Sequence, residues 1–232
     1  MQEQRIQRTF LQRLLQPKPL CLLITGMCIS GMLLLLLNEF HEEITEPWLS
    51  NLDLAAMKRI HSWTAPELTR VMFAFTGIGS LQFLLPTVSS IVVILILVRR
   101  KADASILAIA VGGSAGLNVL LKIWFHRARP EVAWALTHEH SFSFPSGHAV
   151  AAFCFCAAIV FLLARRRHVV TRIILIVAAL FMIVGIGMSR VYLGVHYPSD
   201  IAAGYLVGMV WTGSVLISSV YLATEAKPRS KF

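Results

Sequence analysis

Charge is scarce in this chain: Asp, Glu, Lys and Arg make up 14% of its 232 residues, against 56% hydrophobic. A soluble domain carries about 25% charged residues, so a polar-surfaced globule with its own aqueous core is excluded, and a mean hydropathy of +0.70 points to lipid as the main solvent. Cysteine is limited to Cys21, Cys28, Cys154 and Cys156, all inside apolar runs and none in a CxxC pair. That gives no reason to infer a disulfide or a zinc site, and the four read as small buried apolar residues. Acidic residues number 12 against 21 basic ones. The resulting +9 charge does not indicate a nucleic-acid binder, because the basic residues punctuate apolar segments instead of covering a polar domain.

Long apolar runs, by contrast, are abundant. Six stand out, at about 20–38, 80–98, 104–122, 147–164, 173–189 and 199–222. The expectation is an all-α polytopic membrane protein: one domain over 1–232 with six transmembrane helices and both termini on one side. The run from Leu20 follows a polar head with Arg5, Arg8, Arg13 and Lys18 and has no small-residue cleavage site, so it reads as a retained helix. Most Lys and Arg fall in 1–19, at Arg99-Arg100-Lys101, at Arg165-Arg166-Arg167 with Arg172, and in 223–232, which makes those segments cytoplasmic. Lys122, Arg127, Arg129 and Arg190 then collect next to helix ends on the other side.

The stretch 39–79 opens with Glu39, Glu42, Glu43 and Glu46. It continues with Leu52, Ala56, Ile60 and Trp63 at helical spacing, opposite Asp53, Lys58, Arg59 and Ser62. With Trp48 and Trp63 nearby it reads as an outer interfacial helix or a packed connector. Residues 66–79, ending in Gly77 and Gly79, are too short to cross and read as a partly inserted or capping element.

Three polar clusters fall on the outer face of this topology. Lys122, Arg127 and Arg129 supply a point charge and planar forks suited to phosphate oxygens, with Pro130 ending any helix. Ser146 stands where a helix N-cap is expected, Gly147 allows close approach to the backbone, and His148 lies on the first turn; a helix start of this kind binds anions. Arg190 adds a cation. His196 and Asp200 are four apart, so a tight turn around Pro198 lets the carboxylate fix one ring nitrogen and leave the other free.

Together, Lys122-x6-Arg129-Pro130, Pro145-Ser146-Gly147-His148 and Ser189-Arg190-x5-His196-x3-Asp200 resemble the three-part motif of the type 2 phosphatidic acid phosphatase family, relatives of the vanadium haloperoxidases. The resemblance implies an integral-membrane lipid phosphatase working without metal or cofactor. It makes His196 the nucleophile that becomes phosphohistidine, Asp200 its orienting partner and His148 the general acid. Lys122, Arg129, Ser146, Gly147 and Arg190 hold the phosphoryl oxygens, while Pro130, Pro145 and Ser189 are structural parts of the motif. Phosphatidylglycerol phosphate, phosphatidic acid and undecaprenyl pyrophosphate are candidate substrates, met in a bacterial inner membrane with the site on its outer side. The partners implied are the bilayer and its lipid phosphate, with no nucleic acid. A lipid phosphotransferase on the same scaffold and a non-catalytic lipid transporter are the alternatives.

Other polar residues take plainer readings. His126, His138 and His140 read as solvated or rim residues and Asn118 as a hydrogen bond to a neighbouring helix. Trp124 and Trp134 read as interfacial anchors, and Gly112-x3-Gly116 as a close helix-packing contact.

Overall fold

The computed structural model describes residues 46–225 apart from His138 and Arg166, with side chains as far as Tyr221. The expected first span at 20–38 and the tail 1–19 lie outside the described residues, as does the chain beyond Glu225. The unit from Pro47 onward contains seven helices and, among the described residues, no strand. They are α1 (Pro47–His61), α2 (Pro66–Ile78), α3 (Leu81–Leu97), α4 (Lys101–Phe125), α5 (Gly147–Ala164), α6 (Val169–Tyr192) and α7 (Pro198–Glu225).

Helices α4 to α7 are each long and apolar enough to cross a membrane, and α2 with α3 forms a further candidate bent by 46°. The bend has a local cause. Gly79 follows α2, and Ser80 then caps α3, its Oγ accepting from the Phe83 N–H at 3.3 Å. The expected segment 66–79 is thus a helix, joined to the 80–98 run through this bend. Tyr192 ties α2 to α6, its hydroxyl lying 2.7 Å from Thr69 Oγ1. α7 continues three residues past the expected end at 222.

Helix α1 departs from its expected polarity. Asp53 and Met57 are its buried residues, while Leu52 and Trp63 are exposed. Positions 53, 57 and 60 form the inward stripe, so an acid that the apolar periodicity assigned to the polar face points into the protein.

Helix α5 is the centre of the bundle, burying Ala149, Val150, Ala152, Cys154, Ala158 and Leu162 against its neighbours. Cys154 is one of these small buried residues and Cys156 is partly buried, both as free thiols; Cys21 and Cys28 lie outside the described residues. α7 approaches α5 closely through two glycines. A Cβ at Gly204 would stand 2.8 Å from Ala149 Cβ, and one at Gly208 would stand 2.9 Å from Phe153 Cβ.

α4 contains a π-helical turn at Ile109–Gly113, where the Trp211 indole of α7 donates to the Ile109 and Ala110 carbonyls at 3.2 and 3.0 Å. The close contact here belongs to Gly113, whose Cβ would fall 2.2 Å from the Trp211 ring. Among the described residues nothing lies within 4 Å of a Cβ at Gly112 or Gly116, so the contact there is not the one expected for Gly112-x3-Gly116. The outward faces of α3 and α6 carry exposed Leu85, Ile94, Ile174, Val177 and Phe181, as a helix bathed in lipid does.

Candidate active site

Three chain reversals at one end of this bundle deliver the polar clusters to one place. α4 stops where His126 takes a left-handed conformation at φ 46°, and the chain turns inward with Arg127 buried. The loop returns through Pro145 to Ser146, whose backbone is extended and whose N–H donates to the Asp200 carbonyl at 3.1 Å. Asn118 of α4 holds this loop, donating to the Pro145 carbonyl at 3.2 Å; its partner is loop backbone, not the helix expected. After α6, the turn through Gly194, at φ 78°, brings His196 to the start of α7. Ala135 Cα would lie 3.0 Å from a Cβ there, so glycine is required by conformation and by space.

Pro198 opens α7, and Asp200 in its first turn accepts from the Tyr197 backbone N–H at 3.0 Å, the reciprocal half of a capping box. The same oxygen, Oδ2, lies 3.3 Å from His196 Nδ1 and accepts from Ser143 Oγ. The other, Oδ1, accepts from Arg127 NH1 at 2.6 Å. Arg127 was seen in the sequence only as one of a basic cluster. In the structure it bridges Asp200 to Asp53 of α1, its NH2 donating to Asp53 Oδ2 at 2.9 Å.

On the opposite side of the imidazole, Arg129 NH1 is 3.2 Å from Nε2. A guanidinium only donates, so Nε2 presents its lone pair and the ring proton sits on Nδ1, facing Asp200. Burial pushes the imidazole down to about 4, although Asp200 acts to raise it, so the ring is neutral at neutral pH.

Arg129 faces this lone pair, and the other cations are linked to Arg129 through shared partners. Arg129 is fixed by the Val195 and Ser141 carbonyls at 2.7 and 2.6 Å. Lys122 at the end of α4 donates to Phe142 O and, at 3.3 Å, to Ser141 Oγ. Arg190 near the end of α6 donates to Thr76 of α2 and to Glu139, each at 2.5 Å. Ser189 beside it is fully buried, its Oγ donating to Ile186 O at 2.6 Å. His148 lies close enough to Arg190, Glu139, His196 and Arg129 to feel their charges. Ser146 Oγ and Arg190 Nε are buried with no hydrogen-bond partner among the described residues. The first N–H groups of α5 add further unpaired donors.

These donors and cations make an arrangement suited to an anion. A carboxylate stands in part of it: Glu139 reaches Arg190 at 2.5 Å and Arg129 at 3.9 Å. Burial acts to raise the Glu139 carboxyl, but Arg190 and Arg129 outweigh it and hold the group below its ordinary range.

Residues 103–223 match the PAP2 superfamily. The chain belongs to the PAP2 superfamily. It is 35% identical over 148 residues to the phosphatidylglycerophosphatase B of Bacillus subtilis, covering 62% of this chain and 72% of that protein. The crystal structure of a transmembrane PAP2-type phosphatidylglycerolphosphate phosphatase from Bacillus subtilis superposes with a TM-score of 0.71 at 28% identity, covering 93% of this chain and all of that one. The LpxE structure from Aquifex aeolicus gives a TM-score of 0.56 at 28% identity, over 72% of this chain and 95% of that one.

All the PAP2 motif residues named from the sequence meet at this end of the bundle. The sequence did not reveal Asp53, Arg127 as a bridge, Glu139, Ser143 or Thr76 as parts of the site. Only Asp53 left a signal, its place on the stripe through Met57 and Ile60. His126 is exposed and packs edge-on to Phe142, His140 is exposed, and His138 is outside the described residues. Trp124 is 66% exposed, whereas Trp134 stacks on His61 of α1 with ring centroids 4.8 Å apart.

Proposed function

We propose that this PAP2 enzyme hydrolyses the phosphomonoester of a membrane lipid, phosphatidylglycerol phosphate foremost, through a phosphohistidine at His196. The observation that carries the reading is the buried lone pair of His196 Nε2, faced by Arg129 and backed by Asp200, with Lys122 sharing Ser141 Oγ with Arg129 and Arg190 sharing Glu139 with it.

In this mechanism Arg129, Arg190, Lys122, Ser146 Oγ and the backbone N–H of Gly147 hold the phosphoryl oxygens. The incoming dianion takes the place of the Glu139 carboxylate. His196 Nε2 attacks phosphorus, and the P–O bond to the lipid breaks as His148 gives its proton to the leaving oxygen. The ring gains positive charge, which Asp200 stabilises through the Nδ1–H bond. His148, now neutral, takes a proton from water. The resulting hydroxide attacks phosphorus, the P–N bond breaks, and inorganic phosphate leaves with His196 neutral again. No metal is required by this scheme, since the cations and the helix start carry the developing charge.

The choice of phosphatidylglycerol phosphate rests on the extent of similarity to the Bacillus subtilis enzymes. The topology we propose is one domain over 1–232 with six spans, both termini cytoplasmic and the site facing outward in a bacterial inner membrane. Its support is the pairing of Asp103 with Arg100 at 2.7 Å and with Arg165 at 3.0 Å, which puts the basic α3–α4 and α5–α6 connections together, away from His196.

The test is phosphate release in detergent with EDTA from phosphatidylglycerol phosphate, phosphatidic acid and undecaprenyl pyrophosphate. The expected result is release fastest from the first and absent in His196→Ala. No release by folded wild type unless an acceptor lipid is supplied would make the enzyme a phosphotransferase.

A further inference from the structure

Arg127 and Asp53 stand outside the family motif, yet they are among the most elaborately partnered side chains in the described structure. Asp53 is 3% exposed, Arg127 7% and Asp200 0%. Both oxygens of Asp53 are engaged: Oδ1 accepts from the Ser199 backbone N–H at 3.0 Å, and Oδ2 from Ser199 Oγ at 2.5 Å and Arg127 NH2 at 2.9 Å. Arg127 NH1 donates to Ser199 Oγ at 2.7 Å and to Asp200 Oδ1 at 2.6 Å, and its guanidinium lies over the Tyr197 ring at 4.2 Å.

Docking of α1 alone does not account for such a cluster. Desolvating two carboxylates and a guanidinium is so unfavourable that a buried ion network stabilises no more than well-packed apolar residues of the same size. Its charge count is suited to something else. Two carboxylates face one guanidinium, so the chain Asp53–Arg127–Asp200 carries one net negative charge, and its far end touches His196 Nδ1.

We propose that Asp53 and Arg127 are positioning residues for the histidine–aspartate pair, setting its geometry and the charge that His196 meets when it attacks phosphorus. The proposal rests on His196 being the nucleophile. Arg127 clamps Asp200 Oδ1 so that Oδ2 is left for Nδ1–H. Asp53 offsets the guanidinium, which would otherwise neutralise Asp200 and weaken its hold on the ring as the ring becomes positive. α1 is through Asp53 a working part of the site, not only an outer element.

The two residues act on His196 with opposite signs, which a merely structural role would not produce. The other charged and titratable groups around the ring are Asp200 and Tyr197 on its own turn and helix, His148 from α5, Arg190 from α6, Lys122 from α4, and Arg129 and Glu139 from the loop. All of these remain in each variant below.

The experiment is the pH dependence of kcat/KM for lipid phosphate hydrolysis by the full chain in detergent. In Asp53→Asn the acid limb, which reports protonation of His196, moves to lower pH by about one unit, because a negative charge is gone. Its kcat falls roughly tenfold at unchanged KM, the size seen for outer-shell partners of ligating histidines. In Arg127→Gln the acid limb moves to higher pH, while Arg127→Lys, which keeps the charge, leaves it in place. If Arg127→Gln does not fold, Asp53→Asn and Arg127→Lys decide the matter. Limbs that coincide with wild type in folded Asp53→Asn overturn the proposal while loss of turnover in His196→Ala still upholds the nucleophile. Turnover that survives His196→Ala overturns both.

Discussion

Arg129 NH1 stands 3.2 Å from His196 Nε2, the nitrogen that the proposed mechanism brings to phosphorus. The lone pair is therefore held by one of the cations to which the proposed mechanism gives the phosphoryl oxygens. On the proposed mechanism, phosphate binding draws the guanidinium onto an oxygen and frees the lone pair at the same step. Arg129→Lys keeps the charge and loses the fork. It should reduce kcat/KM by about 10²-fold, in the range for removal of one transition-state donor; steady-state kinetics within threefold of wild type would contradict this role.

In the proposed mechanism His196 attacks as the neutral imidazole, and burial puts it at about 4. The sign is fixed: protonation at lower pH removes the nucleophile, so kcat/KM falls as pH drops through that region. The acid limb is expected below the ordinary histidine range, and a limb centred near 6.5 would mean that substrate-free His196 is solvated.

Glu139 pairs with Arg190 and Arg129, the cations to which the proposed mechanism gives the phosphoryl oxygens. Glu139→Gln should lower KM and the inhibition constants of phosphate and vanadate by about fivefold, the scale of a partly exposed ion pair. Unchanged inhibition by vanadate in that variant would show that the carboxylate leaves the site without competing.

Gly204→Ala places a methyl group 2.8 Å from Ala149 Cβ and 3.0 Å from the Ser146 carbonyl. Since it pushes α7 off the start of α5, it should cost about 1–3 kcal/mol of stability and reduce activity with it. Gly112→Ala, where a Cβ meets nothing within 4 Å among the described residues, should leave both intact. Thermal unfolding in detergent with paired activity measurements distinguishes the two; equal behaviour would put the α5–α7 contact in doubt.

Much of this was legible in the sequence because apolar length and short polar motifs are local signals. The start of α5 at Gly147, its end at Ala164 and the turn that joins His196 to Asp200 follow from the Pro-Ser-Gly sequence, run length and Pro198, although Ser146 Oγ forms no capping bond to the helix. Asp53 was misassigned because apolar periodicity weighs Leu52 and Trp63 as inward, whereas lipid outside the protein rewards the reverse. An acid facing inward announces itself only through its distant partner, Arg127. Glu139 is invisible for a related reason: its role arises from the fold of an irregular loop, which has no period to read. The tight approach at Gly113 depends on the ring of Trp211, far away in the chain, so the GxxxG spacing pointed to its neighbours.

The central claim is a phosphoryl group on His196, and the direct measurement is to trap it. An activated aryl phosphate needs no acid for its leaving group, so His148→Ala should still be phosphorylated by it and then stall without a base for water. Alkaline quench and peptide mass spectrometry should find phosphate on the His196 peptide of His148→Ala and none in the His148→Ala/His196→Ala double variant. Phosphate on another residue, or phosphate release by the double variant without any labelled peptide, would contradict the account.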